Sequence, residues 1–196
     1  MSWPEDFNTN FQFLLRWLHF LGGITWIGML YFFNLVNVQL QKEIDASIKP
    51  KLNPPLLTKT LWWFRWGAVL TWVTGFIYYF VIAHSEAPGD MLILIFLIGW
   101  VVAFEINSVV YKASAKGGGL GTVMFMNVWM IIWPLQKKII AATKATAETG
   151  AAAPAEMPQW ARRAFLASRT NAWLSIPMLF FMGAASHFPI FSVITK

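Results

Sequence analysis

Five long apolar stretches dominate the pattern of hydrophobic and polar positions along the chain. A bilayer core about 30 Å thick requires about 20 apolar residues of helix, and each stretch approaches that length with few charges inside it. The pattern therefore predicts an all-α protein, a polytopic transmembrane bundle that forms one integral membrane domain over residues 1–196. The predicted spans, about five, are residues 11–38, 61–83, 91–111, 120–140 and 172–194.

Short segments of special backbone character separate these stretches. Proline lacks the donor that a helix needs, and glycine has excess backbone freedom. Both features predict an interruption of helix at Asn53-Pro54-Pro55, Ala87-Pro88-Gly89 and Gly117-Gly118-Gly119. Residues 141–163, rich in Ala and Thr, predict a mobile extramembrane loop that can be helical at its start.

Composition supports the membrane interpretation and narrows the chemistry. The chain is 57% hydrophobic and 12% charged, which is more apolar than a typical soluble domain. Its net charge of +6 comes from Lys and Arg between apolar runs, where they contact lipid headgroups, so we expect no nucleic-acid partner. Because there is no cysteine, disulfides, thiolate metal sites, iron–sulfur clusters and C-x-x-C-H haem attachment are excluded.

The distribution of Lys and Arg predicts an orientation but also raises a conflict. The N-terminal tail has none and the first loop has four, which predicts an N-terminus outside the cytoplasm, in what we expect to be a bacterial inner membrane. With that orientation, a five-span model also places the loop after the fourth span outside the cytoplasm, although this loop is rich in Lys and Arg. A sixth crossing or a re-entrant segment would remove that conflict. The fourth-loop residues are Lys137, Lys138, Lys144, Arg162, Arg163 and Arg169.

The first of two intramembrane histidines, His19, shares a helical face with Gly22, Gly23 and Trp26. The glycines predict a shallow groove in which a haem could lie with the imidazole reaching its iron. Alternatively, they allow close helix packing, and His19 bonds to a neighbouring helix.

The second histidine, His187, follows Gly183 by one turn and precedes Pro189. It is a candidate second haem ligand, or part of a packing motif at a helix end. In a simple five-span bundle the first and last helices run parallel, which separates the two histidines in depth by roughly 14 Å. Either tilt and altered topology bring them level, or each histidine serves a different site, or His84, at the end of the second predicted span, is the metal or haem partner of His19.

Arg65 and Glu105 are further charged residues within predicted spans. They can form a structural ion pair across antiparallel helices. Alternatively, Glu105 relays protons and Arg65 binds a haem propionate. Arg16, Arg169 and Asn171, near helix ends, are candidates for propionates or lipid headgroups.

Several motifs together resemble the N-terminal membrane domain of the membrane-bound urate hydroxylase family. They are Arg16-Trp17-Leu18-His19 with the run Gly22 to Gly28, Asn127-Val128-Trp129 with Ile132-Trp133-Pro134, Ser168-Arg169-Thr170-Asn171, and Ser186-His187-Phe188-Pro189. The resemblance implies a membrane protein that passes electrons, in the full-length family to a C-terminal cytochrome c domain. Because this sequence has no Cys and ends soon after His187, we expect the acceptor to be a separate cytochrome c.

Three functions follow from these observations. The leading one is a membrane subunit that binds haem b through His19 and His187 and relays electrons among other subunits of a respiratory or redox complex. The second is a urate hydroxylase-like oxidoreductase. The third is an accessory subunit without a cofactor, whose glycine faces dock other helices.

Overall fold

The computed structural model describes residues 6–84 and 112–187, almost all of them helical. No β-strand occurs within those two ranges, so the all-α prediction is confirmed. The elements in chain order are α1 (Phe7–Tyr31), a π-helical turn (Phe32–Asn37), α2 (Val38–Glu43), α3 (Lys49–His84), α4 (Lys112–Met126), a second π-helical turn (Asn127–Ile132), α5 (Trp133–Thr149) and α6 (Met157–His187).

Because the π-helical turns join their neighbours without a break, these elements make four long rods: α1–α2, α3, α4–α5 and α6. Asp6 caps the first rod by accepting from the Thr9 amide at 2.8 Å. Hydrogen bonds from Thr9 hold the pKa of that carboxyl below its usual range. α5 ends at Thr149. The next residue, Gly150, has a φ of 70° and caps the helix in the left-handed conformation.

Consecutive rods run antiparallel, as their contacts show. His19 meets Thr71 whereas the later Phe33 meets the earlier Phe64, so α1 and α3 run in opposite directions. Trp72 meets Thr122 and Arg65 meets Trp133, which makes α3 antiparallel to α4–α5. Asn127 bonds to Asn171 and Lys138 lies over Trp160, which makes α4–α5 antiparallel to α6.

The bundle therefore has two distinct ends. The His187 end contains the first residue of α1, the last of α3, the first of α4 and the last of α6; the Thr149 end contains the opposite termini. Ten of the 15 Lys and Arg residues lie within about three turns of the Thr149 end. They are Lys42, Lys49, Lys51, Lys59, Lys137, Lys138, Lys144, Arg162, Arg163 and Arg169.

This arrangement corrects the predicted directions of the helices. Five alternating spans would make 61–83 parallel to 120–140 and the first helix parallel to the last. In the structure α3 is antiparallel to α4–α5, and α1 is antiparallel to α6 because Asn34 meets Ser168 and Tyr31 meets Ser175. The predicted span 91–111 and the interruption at Ala87-Pro88-Gly89 lie outside the described residues, so the count of five remains a prediction.

Two predicted interruptions are wrong. Pro54 and Pro55 lie inside α3, and Gly118 and Gly119 lie inside α4. These predictions rested on local helix propensity, by which each glycine destabilises a helix by about 1 kcal/mol and each proline by about 3 kcal/mol relative to alanine. Both helices go on to bury large side chains in the core, and that packing outweighs the local loss. The non-helical connection before α6 is also short, residues 150–156, instead of 141–163.

The core lies between all four rods and is filled by apolar side chains. Trp26, Leu30, Phe64, Met124 and Val128 are fully buried. The outer surface is also apolar: Ile24 is 70% exposed and Trp173 68%. Within residues 6–84 and 112–187, two helices, Phe7–Glu43 and Gly118–Thr149, are by length and composition able to cross a membrane.

The closest approach between rods is the crossing of α1 and α3. A Cβ on Gly22 would lie 2.8 Å from the Thr71 backbone nitrogen, and one on Gly67 would lie 3.0 Å from the Trp26 nitrogen. Backbone atoms cannot move aside as the end of a flexible side chain can. Glycine at these two positions therefore sets the distance between the helices.

We predict that replacement by alanine changes the free energy of unfolding differently at two glycines of α1. Gly22→Ala forces α1 and α3 apart and lowers the free energy of unfolding by about 1–3 kcal/mol. Gly28→Ala, where a Cβ would meet nothing within 4 Å, leaves it unchanged or raises it by up to about 1 kcal/mol through helix propensity. Unfolding of the purified full chain in detergent measures both, and equal effects would contradict the crossing.

Candidate functional site

His19 is held in one orientation between α1 and α3. Its Nδ1 lies 2.8 Å from the carbonyl oxygen of Thr71, and its ring packs on Gly75, where a Cβ would come within 2.7 Å of Cε1. Since a carbonyl only accepts, Nδ1 carries the proton. Among the described residues Nε2 has no hydrogen-bond partner. An imidazole fixed through Nδ1–H to a backbone carbonyl, with Nε2 unbonded, is the arrangement of histidines that bind iron or zinc.

The glycines next to His19 do not form the open groove that was one of the two predictions. The space beside Gly22 is filled by Thr71, whose Oγ1 and backbone nitrogen would lie within 2.8 Å of a Cβ at that position, and only Gly23 has space beside it, with Thr71 Cγ2 at 3.9 Å. The alternative, close helix packing with His19 bonded to a neighbouring helix, is what α1 and α3 display. Gly183 differs, because a Cβ there would meet no atom of the described residues within 4 Å.

The antiparallel arrangement removes the predicted mismatch in depth between His19 and His187. Tyr31 Oη lies 2.9 Å from Ser175 Oγ and fixes the relative height of α1 and α6. From this contact His19 lies about 18 Å back along α1, and His187 lies about 18 Å forward along α6. Both histidines therefore lie at one level near the His187 end. His187 is the last described residue of α6, and only its backbone is described. The side chain of His84 also lies outside the described part.

Arg65 stacks on an aromatic ring and is remote from His19. Its Cζ lies 3.6 Å from the centre of the Trp133 ring, a cation–π contact. Its Nε and Nη1 are buried without a partner among the described residues. Along α3 it lies about 15 Å from Gly75, on which His19 packs. The structure does not bring Arg65 and His19 together, and Glu105, the predicted partner of Arg65, lies outside the described residues.

Arg169 and Arg16 lie at opposite ends of the bundle. Arg169 lies 5.2 Å from the Phe165 ring and about 27 Å along α6 from His187, which is too far for one haem to reach both. Arg16 is one turn from His19, with its Cζ 5.7 Å from the Tyr78 ring. Of the arginines considered, Arg16 is the cation next to His19. No group of three His, Cys, Asp or Glu side chains converges within the described ranges.

Sequence reasoning placed Asn171 near a helix end, as a candidate for propionates or lipid headgroups, and missed the other polar residues at the centre of the bundle. Asn171 is fully buried, accepts from Asn127 Nδ2 and donates to the Met124 carbonyl, both at 2.9 Å. Asn34 and Ser175 are also buried and bonded between rods. An amide side chain in a long apolar stretch would have indicated these positions, because such a group must bond within the protein.

These features define the class of the protein: an all-α bundle with an apolar exterior, a bonded polar interior and a histidine held by a backbone carbonyl of the neighbouring helix. Residues 77–195 match the model of the urate oxidase N-terminal family. The chain therefore belongs to the urate oxidase N-terminal family, and the match includes α4, α5 and α6, while His19 precedes it. No curated protein and no solved structure shows a significant match to the chain.

Two substitutions separate the structural role of His19 from any ligand role. In His19→Asn the side-chain Nδ2 can take the place of Nδ1 and donate to the Thr71 carbonyl. In His19→Leu that acceptor loses its donor from α1 and keeps only the longer bond from Thr74 Oγ1, at 3.2 Å, which lowers the free energy of unfolding by about 1 kcal/mol. Thermal unfolding should place His19→Asn nearer the wild type than His19→Leu, and the reverse order would contradict the hydrogen bond.

Proposed function

We propose that this chain is an integral membrane oxidoreductase subunit of the urate hydroxylase type. It binds a b-type haem through His19 and His187 and passes electrons from a small ring substrate to a separate cytochrome c. The observation that carries the proposal is the orientation of His19, whose Nδ1 is bonded to Thr71 while Nε2 has no partner in the described part of the chain. The family match supports the redox class.

The membrane location rests on the surface and on the two ends of the bundle. Large side chains such as Phe20, Ile24 and Met130 are about two-thirds exposed, and contiguous exposed apolar area of this kind indicates contact with lipid or with other membrane subunits. Because both basic connections lie at the Thr149 end, the rule that Lys and Arg remain inside assigns that end to the cytoplasm. The conflict of the five-span model does not arise in this arrangement.

The residues at the His187 end fit a haem in three respects. Thr71 fixes the tautomer of His19, the level of His187 matches that of His19, and a Cβ on Gly183, one turn before His187, would meet no atom of the described residues within 4 Å. Arg16, one turn from His19, is placed to pair with a propionate. When bound, the haem supplies a one-electron redox centre, while the chain's own residues orient it and exclude water.

The second candidate is an accessory subunit without a cofactor. The observation that favours it is the filling of the space beside Gly22 by Thr71, because this glycine serves packing between α1 and α3. This candidate assigns the bond from His19 to Thr71 a purely structural role. It predicts a colourless protein that co-purifies with a larger complex.

A reduced-minus-oxidised optical spectrum of the full chain distinguishes these functions. We predict a b-type band that is lost in His19→Asn and in His187→Ala although both variants fold, because each lacks one axial ligand. His84→Ala is the matched control and should keep the band. Addition of urate should reduce the haem if the chain takes electrons from that ring.

Absence of any b-type band from haem-supplemented protein, confirmed by pyridine-haemochrome analysis, would refute haem binding. A band that persists unchanged in His19→Asn would remove His19 from the site. Loss of the band in His84→Ala together with its retention in His187→Ala would assign the second ligand to His84.

Because the sequence has no cysteine, each introduced cysteine is the only thiol of the chain, and labelling reports the side of the membrane on which that position lies. Lys51→Cys and Arg162→Cys lie at the Thr149 end, whereas Asn8→Cys lies at the other. We predict that a membrane-impermeant maleimide added to intact cells labels Asn8→Cys alone. Labelling of Lys51→Cys and Arg162→Cys from opposite sides would contradict the arrangement.

A further inference from the structure

Arg65 is a cation that the proposed function does not use. Its guanidinium stacks on Trp133, and no acidic side chain among the described residues lies within ion-pairing distance of it. Its Nε and Nη1 are buried. Nη2 also lacks a partner in the described part of the chain but is not buried, so it is the nitrogen that a ligand can reach. Because an unpaired charge in a bilayer is costly, an anion at Nη2 would stabilise Arg65.

Lys137 adds a second positive charge over the same ring. Its Nζ lies 5.5 Å from the centre of the Trp133 ring and Arg65 Cζ lies 3.6 Å from it, so the two cations are at most about 9 Å apart. One tetrahedral anion can accept a hydrogen bond of about 2.9 Å from each of them. An arginine fork beside a lysine point charge is typical of phosphate binding.

The two cations lie at the level expected for lipid phosphates. From Arg65 to the last residue of α3 the helix rises about 28 Å, and a bilayer core is about 30 Å thick. A core that begins at the end of α3 therefore ends at Arg65. Trp62, Trp63 and Trp66, which flank Arg65 on α3, are exposed, and exposed tryptophans are typical of the membrane–water interface. Arg65 thus marks the interface toward the Thr149 end.

An apolar stripe leads from Lys137 toward the middle of the bilayer. Val123, Met126 and Met130 are exposed and follow one another at helical spacing along α4 and the second π-helical turn. Met130 precedes Lys137 by seven residues, about two turns of helix, so the stripe and the ammonium group lie on one face. Acyl chains can follow this stripe while a headgroup remains at the two cations.

From these features we infer that Arg65 and Lys137 bind the phosphate of an anionic phospholipid, whose acyl chains follow the stripe. Arg65 Nη2 and Lys137 Nζ donate to the phosphate oxygens, while Trp133 orients both cations by cation–π contact. The interfacial level and the stripe favour a lipid over free phosphate. A zwitterionic headgroup binds less well, because its own cation is repelled by Lys137. The inference shares only the membrane location with the proposed function, since Arg65 is remote from His19.

The experiment is native mass spectrometry of the full chain in detergent, titrated with dioleoylphosphatidylglycerol or dioleoylphosphatidylcholine. We expect the first phosphatidylglycerol to bind at least about tenfold more tightly than phosphatidylcholine. Arg65→Gln and Lys137→Gln should each weaken phosphatidylglycerol binding about tenfold or more, because each removes a charge-assisted hydrogen bond. Lys138→Gln is the matched control, with the same loss of charge one residue later. Its Nζ lies over Trp160 of α6, so the affinity should change by less than about twofold.

Two further measurements identify the source of the anion. Millimolar inorganic phosphate, compared with chloride at the same ionic strength, should not displace phosphatidylglycerol. Glu105→Gln removes the carboxylate that the sequence suggests as a partner of Arg65. We expect this variant to bind phosphatidylglycerol as the wild type does.

Equal affinity for the two lipids, an unchanged phosphatidylglycerol affinity in Arg65→Gln or in Lys137→Gln, or an equal loss in Lys138→Gln would each overturn the inference. Displacement by inorganic phosphate would assign the site to a free anion and refute the lipid. A large gain of affinity in Glu105→Gln would assign Arg65 to an internal ion pair and refute the site.

Thermal unfolding in detergent shows whether each variant is folded before it is titrated. If Arg65→Gln does not fold, Lys137→Gln, at an exposed position, decides the outcome. A preference for phosphatidylglycerol in protein that has no b-type band would show that the haem proposal fails while this lipid site stands.

Discussion

The close contact between α1 and α3 is the constraint on which the rest of the bundle depends. Gly22 and Gly67 let the two backbones approach until a single methyl group would collide with the Thr71 and Trp26 nitrogens. At that separation the His19 ring reaches the Thr71 carbonyl and packs on Gly75. The orientation of the imidazole is thus a consequence of backbone distance, and it fixes which ring nitrogen remains without a partner.

The polar groups of the interior serve as fixed points between apolar rods. In an apolar surrounding each amide or hydroxyl must find a partner, so Asn171 joins Asn127 to the Met124 carbonyl and Tyr31 bonds to Ser175. These bonds fix the relative heights of the rods, which apolar packing alone leaves free to slide. Within the described residues, the buried Oδ1 of Asn34 and Oε1 of Gln136 are exceptions, because neither has a hydrogen-bond donor.

The sequence predicts the helical class well because long apolar stretches with few charges have little alternative. It predicts the directions of the helices poorly, since direction depends on an assumed alternation of spans. The contacts of Trp72 with Thr122 and of Arg65 with Trp133 contradict that alternation. The predicted helix interruptions at Pro54-Pro55 and Gly117-Gly118-Gly119 are wrong because local helix propensity is weaker than packing along a long helix. His19 could be singled out as a buried ionisable residue, but its bond to a backbone carbonyl carries no sequence signal.

The antiparallel direction of α1 and α6 brings His19 and His187 to one level. Electron–electron double resonance between spin labels measures this direction, with labels at Ile24 paired either with Phe180 or with Leu166, all three exposed. We expect a clearly shorter distance for Ile24 with Phe180, which are within about 3 Å in height, than for Ile24 with Leu166, about 24 Å apart along the axis. A shorter distance for Ile24 with Leu166 would mean that the two helices run parallel and would refute the shared level of the histidines.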